Sequence, residues 1–221
     1  MMIDAPGDAK EGDDERNEAD RPAGPRMVRL FIALETNEAM QHAVASVQRS
    51  LRQRGDLPVR WVAPQQVHLT LQFLGSVVAA HIPSLVRAVE PAVAKHAAML
   101  LRAGEVGAFP SADAPRVLWL GVRGDDDGLL ALQRAVRDAV RGVEGVVADR
   151  KPFRPHLTLG RVRAGRRDLP GMTAIAAALA RPVAAPPTAW PVREVSLIRS
   201  VLGPGGSRYT IVERFPLVGG E

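Results

Sequence analysis

The sequence predicts an α+β fold built on antiparallel sheets. Short β-type runs are interspersed with longer stretches at helical spacing, several β-type runs follow one another as hairpin-like pairs, and Gly, Pro and Asp punctuate the junctions. Strands joined by turns need no crossover helix, so antiparallel pairing fits better than a doubly wound parallel sheet.

Residues 1 to 26 lack apolar periodicity and carry eight acids against four bases, so they predict a disordered acidic tail. The first strong pattern is Val28, Leu30, Ile32 and Leu34, with Phe31 and Ala33 between them, which reads as a buried strand. Helical spacing runs from about Asn37 to Arg54 and stops at Gly55, and extended chain from Val59 to Val62 then leads to Pro64. From Val67 to Phe73 the chain alternates. Val67, Leu69, Leu71 and Phe73 are expected on one face of a strand, His68, Thr70 and Gln72 on the other, and Gly75 is expected to close it. A long helix is predicted from about Ile82 to Leu101, followed by extended segments at Gly104–Phe109 and Arg116–Val122. Asp125, Asp126 and Asp127 then read as the cap and acidic first turn of a helix that buries Leu129, Leu132, Val136 and Val140. Phe153–Val162 predicts a strand and Met172–Ala180 a short helix. Two closing strands, Arg193–Ser200 and Arg208–Leu217, flank the turn Gly203-Pro204-Gly205-Gly206.

At 221 residues, 46% hydrophobic and 24% charged, the chain can bury a core without staples. It has no cysteine, which excludes disulfides, thiolate metal sites, iron–sulfur clusters and cysteine nucleophiles. No apolar run approaches the ~18 residues of a membrane span, and the acidic start is no secretion signal, so a soluble, cytoplasmic protein without a membrane association is expected. From Met27 onward 25 bases stand against 16 acids, a balance of +9. Such a body attracts polyanions such as nucleic acid, although a solvated arginine-rich surface carries the same excess.

The chemistry resides in a repeated tetrapeptide. His-Leu-Thr-Leu occurs at His68–Leu71 and again at His156–Leu159, where five histidines and six threonines in a chain of this length predict roughly 0.14 His-x-Thr matches by chance. Both copies lie in predicted strands, so each presents an imidazole and a hydroxyl on one face with two leucines anchored behind. Imidazole, with an ordinary pKa of about 6.5, gives or takes a proton near neutrality, and two of them can act as base and acid on opposite sides of a phosphorus centre. Thr70 and Thr158 add hydroxyl donors for phosphate oxygens. Arg154, two residues before His156, is expected on the same face as a phosphate clamp, with Gly160 continuing that face bare. A zinc site is a weaker reading, because each strand supplies one imidazole and no third ligand presents itself. His42, His81 and His96 read as surface or capping residues, the Asp125–Asp127 run as a helix start, and Trp61, Trp119 and Trp190 as packing.

With these residues the chain resembles the 2H phosphoesterase superfamily, named for two His-x-Thr motifs, and within it the RNA 2′,3′-cyclic phosphodiesterase, or 2′-5′ RNA ligase, family. The resemblance extends to Arg29–Leu34 (Arg-Leu-Phe-Ile-Ala-Leu), His68–Gly75, Pro115–Leu120 and Phe153–Leu159, and covers the chain from Met27 onward. It implies a bilobed α+β body over residues 27–221 with pseudo-two-fold symmetry, helices outside, and one motif from each lobe facing a central cleft. It implies His68 as proton donor, His156 as proton acceptor and Thr70 and Thr158 on the phosphate. It also implies that the RNA end bearing a 2′,3′-cyclic phosphate is the partner, with no metal or nucleotide cofactor. A monomer is expected. The acidic tail departs from the family pattern, which begins near Met27. Two other readings use the same residues: a phosphodiesterase for a small cyclic nucleotide or another phosphodiester, and a non-catalytic RNA-binding protein that kept the cleft.

Overall fold

A computed structural model of the protein describes residues 25–147, 149, 151–163, 169–203 and 206–219. The tail expected over residues 1 to 26 thus lies outside the described residues up to position 24. Among the described residues there are nine strands and four α-helices: β1 Met27–Glu35, α1 Glu38–Arg52, β2 Val59–Trp61, β3 His68–Val78, α2 Ile82–Val93, β4 Met99–Phe109, β5 Val117–Gly124, α3 Asp126–Arg141, β6 His156–Val162, α4 Leu169–Ala180, β7 Trp190–Val192, β8 Glu194–Gly203 and β9 Gly206–Pro216.

The strands form one antiparallel sheet in the order β7-β4-β5-β6-β3-β1-β8-β9, with β2 added on β6. The two motif strands, β6 and β3, therefore sit side by side at the centre, with three strands beyond each. They join where Leu69 pairs with Leu157. The expected α+β class with antiparallel pairing is what the chain adopts.

Caps and amphipathic faces place the helices. The Asn37 side chain accepts a hydrogen bond from the Met40 amide at 3.0 Å, and Asp125 accepts one from the Gly128 amide at 3.0 Å; such caps stabilise a helix by about 1 kcal/mol each. α1 buries Met40, Ala43, Val44, Val47 and Leu51, and α3 buries Leu129, Leu132, Val136 and Val140. The connections cross over: α1 follows β1, but the next strand is β2 on β6, so α1 lies against the β6 half and touches β4. α3 follows β5 yet packs on β3 and α2. Each half of the sheet is thus covered by a helix that the chain reaches from the other half.

Three expected boundaries need correction. The helix predicted to Leu101 stops at Val93, and Met99 and Leu101 are buried with Leu100 exposed between them as β4. Val93, Ala97 and Leu101 fit a helical spacing as well as Met99, Leu101 and Ala103 fit a strand, and pairing with β5 and β7 decides. β3 does not close at Gly75, whose φ of +66° is absorbed by a register shift against β1, and the strand runs on to Val78. β6 begins at His156 and not at Phe153, because Pro152 and Pro155 cannot donate to a ladder. The sequence pattern also gives no sign of β7, three residues around Pro191, which is too short to show a period.

Candidate active site

Antiparallel pairing at Leu69 and Leu157 sets the two motifs head to tail about a local two-fold axis. His68 flanks Thr158, and Thr70 flanks His156, while the motif leucines on the other face are all buried. The four polar side chains line one cleft of about 480 Å³, together with Phe31, Phe73, Phe109, Arg161, Leu202 and Tyr209 among others.

Past the fourth motif residue both strands break the expected alternation in the same way. Leu71 has no partner on β1, whose Ile32 and Ala33 pair with Gln72 and Thr70, and Leu159 has none on β5, whose Leu118 and Trp119 pair with Gly160 and Thr158. Each leucine is the extra residue of a β-bulge, and the face of the strand switches there. In β3 Gln72 is buried and Phe73, 46% exposed, enters the cleft, the reverse of the alternation expected from sequence. In β6 Gly160 is buried, with a side chain there directed at Val59, and Arg161 enters the cleft. Gly160 therefore does not continue the face that carries His156 and Thr158.

Arg154 is not among the cleft residues. Lying before the first residue of β6, it escapes the two-residue period, and its guanidinium carbon stands 5.8 Å from the centre of the Phe109 ring. Two cationic residues line the cleft, Arg29 on β1 and Arg161 on β6; Arg161, seven residues after Arg154 and delivered by the bulge, is the one whose charge acts on both imidazoles. Sequence inspection gives no sign of it, since strict alternation points Arg161 away from His156.

Each imidazole is oriented by the carbonyl two residues before it. Nδ1 of His68 lies 2.9 Å from the Gln66 oxygen and Nδ1 of His156 lies 2.6 Å from the Arg154 oxygen. A carbonyl only accepts, so Nδ1 carries the hydrogen and Nε2 is left to act on a ligand. Aromatic rings hold them further. Phe31 stacks on His68 at 4.7 Å and Tyr209 meets it edge-on at 5.2 Å, while Phe109 meets His156 edge-on at 4.9 Å, backed by Trp119.

Burial lowers the pKa of both imidazoles, the backbone carbonyls oppose the shift, and the Arg161 charge lowers both further. His68 alone also has the Glu35 carboxylate acting on it, which favours its protonated form, while the neighbouring His156 disfavours it. Glu35 is the register partner of His68 on β1 and is held by the Ser196 hydroxyl at 2.6 Å and the Arg214 guanidinium at 3.5 Å. Together these groups can grip a tetrahedral anion between two proton carriers. Among the described residues, no three His, Asp or Glu side chains gather as a metal-ligating group.

The model of the 2′-5′ RNA ligase superfamily matches residues 35–204. This chain belongs to that family. A relative from Thermus thermophilus named RNA 2′,3′-cyclic phosphodiesterase is 33% identical over 87% of this chain and 91% of its own length. One of the same name from Aquifex aeolicus is 29% identical over 88% of this chain and its whole length. Among solved structures, a Thermus thermophilus protein superposes with a TM-score of 0.67 at 30% identity, covering 85% of this chain and 97% of that one. The E. coli LigT complexed with 3′-AMP superposes at 0.65 with 26% identity, over 87% and 99% of the two chains. Among the described residues no helix is long and apolar enough to cross a membrane.

Proposed function

We propose that this protein is a metal-independent RNA 2′,3′-cyclic phosphodiesterase that opens the cyclic end to a 2′-phosphate, acting as a cytoplasmic monomer. The observation that carries the reading is the sharing of one cleft by two carbonyl-oriented imidazoles across the Leu69–Leu157 pair. The names of the relatives support the substrate, and the complex of E. coli LigT with 3′-AMP supports a nucleotide ligand.

Neutral His156 takes a proton from water through Nε2 as the water oxygen bonds to phosphorus. The bond from phosphorus to O3′ breaks, and protonated His68 gives its Nε2 proton to O3′. The product is a 2′-phosphate beside a free 3′-hydroxyl, and exchange with solvent restores both imidazoles. Thr70, Thr158 and Arg161 hold the non-bridging oxygens as charge builds on them. Glu35 beside His68, which favours its charged form, supports the donor assignment. A 5′-hydroxyl in place of water gives a 2′-5′ linkage by the same proton moves, the ligation reaction.

The test is to incubate the protein, in EDTA, with RNA ending in a 2′,3′-cyclic phosphate and with 2′,3′-cyclic mononucleotides, and to identify the product isomer. A 2′-phosphate on the RNA is expected. A 3′-phosphate, dependence on metal, or turnover of the mononucleotide alone overturns the reading, the last in favour of a small cyclic nucleotide as substrate. Binding without turnover makes the protein an RNA-binding relative.

A further inference from the structure

The two bulges share a feature on the side away from the cleft. Gln48 of α1 and Gln133 of α3 are buried, at 3% and 5% exposure. The Gln48 amide donates to the oxygen of Leu159 at 3.0 Å and to that of Val62 at 2.7 Å, and the Gln133 amide donates to the oxygen of Leu71 at 3.4 Å. Leu159 and Leu71 are the bulged residues of the two motif strands. A buried amide is costly unless it makes its bonds, and a bulge leaves backbone groups without their ladder partners. Two helices that share a local pattern, Val47-Gln-Arg-Ser-Leu-Arg52 and Leu132-Gln-Arg-Ala-Val-Arg137, thus place the same polar residue at equivalent points, each behind the switch that admits a non-motif side chain to the cleft.

We propose that Gln48 and Gln133 are matched positioning residues, each fixing the carbonyl of a bulged motif leucine so that Arg161, in one half, and Phe73, in the other, point into the cleft. The braces are unequal. On β6, Gln48 ties the bulge to Val62, the residue just after β2, whose amide donates to the same Leu159 oxygen at 2.9 Å. On β3 a second amide takes part, since Gln72 donates to the Phe73 oxygen at 3.1 Å and to the Asp149 oxygen at 3.0 Å. Because α1 and α3 each reach the opposite half, a change in either helix is felt at the motif that its own preceding strand does not flank.

The test uses Gln48→Met and Gln133→Met, which keep side-chain length and lose the donor. KM and kcat on cyclic-phosphate RNA are measured alone and in Arg161→Ala and Phe73→Ala backgrounds; this arm rests on the proposed function. Gln48→Met is expected to raise KM about tenfold, the loss of one charge-assisted contact, with a smaller change in kcat. It should add nothing once Arg161 is gone and should add fully to Phe73→Ala. Gln133→Met should show the converse, silent only on Phe73→Ala. An arm without turnover is the NMR titration of the free protein: Gln48→Met raises the pKa of His156 as Arg161→Ala does, and Gln133→Met does not. Equal increments in every background, or a lowered Tm with KM and titration unchanged, would overturn the proposal. Absence of turnover overturns the phosphodiesterase reading and leaves the titration to decide the positioning. If a methionine variant does not fold, the asparagine variant, one methylene too short to reach, is read in its place.

Discussion

The half of the sheet that carries His68 and the half that carries His156 repeat one design and then diverge within reach of the imidazole. Motif, bulged leucine, carbonyl-anchored Nδ1 and bracing glutamine recur in both. The His68 half adds aromatic rings and a carboxylate beside the imidazole, Phe31, Tyr209, Phe73 and Glu35, with Arg29 of β1 further along the cleft. The His156 half adds the Arg161 guanidinium and one edge-on ring, Phe109. Symmetry supplies two equivalent imidazoles; the departures from it are what the proposed donor and acceptor roles rest on. A carboxylate beside His68 favours its charged form, while the Arg161 guanidinium disfavours the charged form of both imidazoles and, in the proposed mechanism, holds the phosphate oxygens.

The largest effect expected is at the imidazoles. His68→Ala and His156→Ala should each lose about 10²- to 10⁴-fold in rate on cyclic-phosphate RNA. A substrate with a good leaving group needs no proton at departure, so it should restore much of the rate to His68→Ala and little to His156→Ala. Equal rescue would make the two halves functionally equivalent, and rescue of His156→Ala alone would reverse them.

Next in size is the arginine contrast. Arg161→Ala should raise KM about tenfold and lift the pKa of both imidazoles, as loss of a nearby positive charge requires. Arg154→Ala, which keeps the backbone carbonyl that holds His156, should stay within about twofold of the parent. An equal loss from both would return Arg154 to the cleft.

Glu35→Gln should act more gently and on one half only. The alkaline limb of kcat/KM, set by the acid of the free protein, should lie below the ordinary imidazole value of about 6.5 and move lower still in this variant. NMR titration should find His68 shifted down and His156 nearly unmoved. A shift of both would mean that the carboxylate does not distinguish the halves.

The smallest expected effect is on stability. Both folded-state pKa values are lowered, so as pH falls below about 6.5 the unfolded chain takes up protons first. Stability is full above that value and declines as pH drops toward the folded-state values, so Tm should fall on acidification. His68→Gln and His156→Gln should each flatten the slope, and inorganic phosphate should oppose it by favouring the charged imidazoles. An unchanged slope in either variant would show which half is not buried enough to matter.

Much of the centre of the molecule is legible in the chain itself. His68, Thr70, His156 and Thr158 announce themselves because a strand's two-residue period and a repeated tetrapeptide are local facts, and the buried leucines between them fix which face is wet. The caps at Asn37 and Asp125 are equally local. The error over Val93 to Leu101 comes from a few residues that satisfy two periods at once, where the identity of the pairing strand decides.

Local pattern therefore carries the chemistry of the motif: two imidazoles and two hydroxyls, each pair on one face of a strand, in an antiparallel α+β protein. Which further side chains join them depends on how distant segments meet. Arg161 and Phe73 enter because Leu159 and Leu71 are bulged against β5 and β1, and a bulge belongs to the register between two strands, not to either strand alone. Glu35 and Tyr209 arrive on strands that reach His68 only through pairing and packing, and Gln48 and Gln133 come from helices that cross to the opposite half. A one-residue register change reverses every face beyond it, so these members of the site are fixed by long-range pairing that local pattern does not encode.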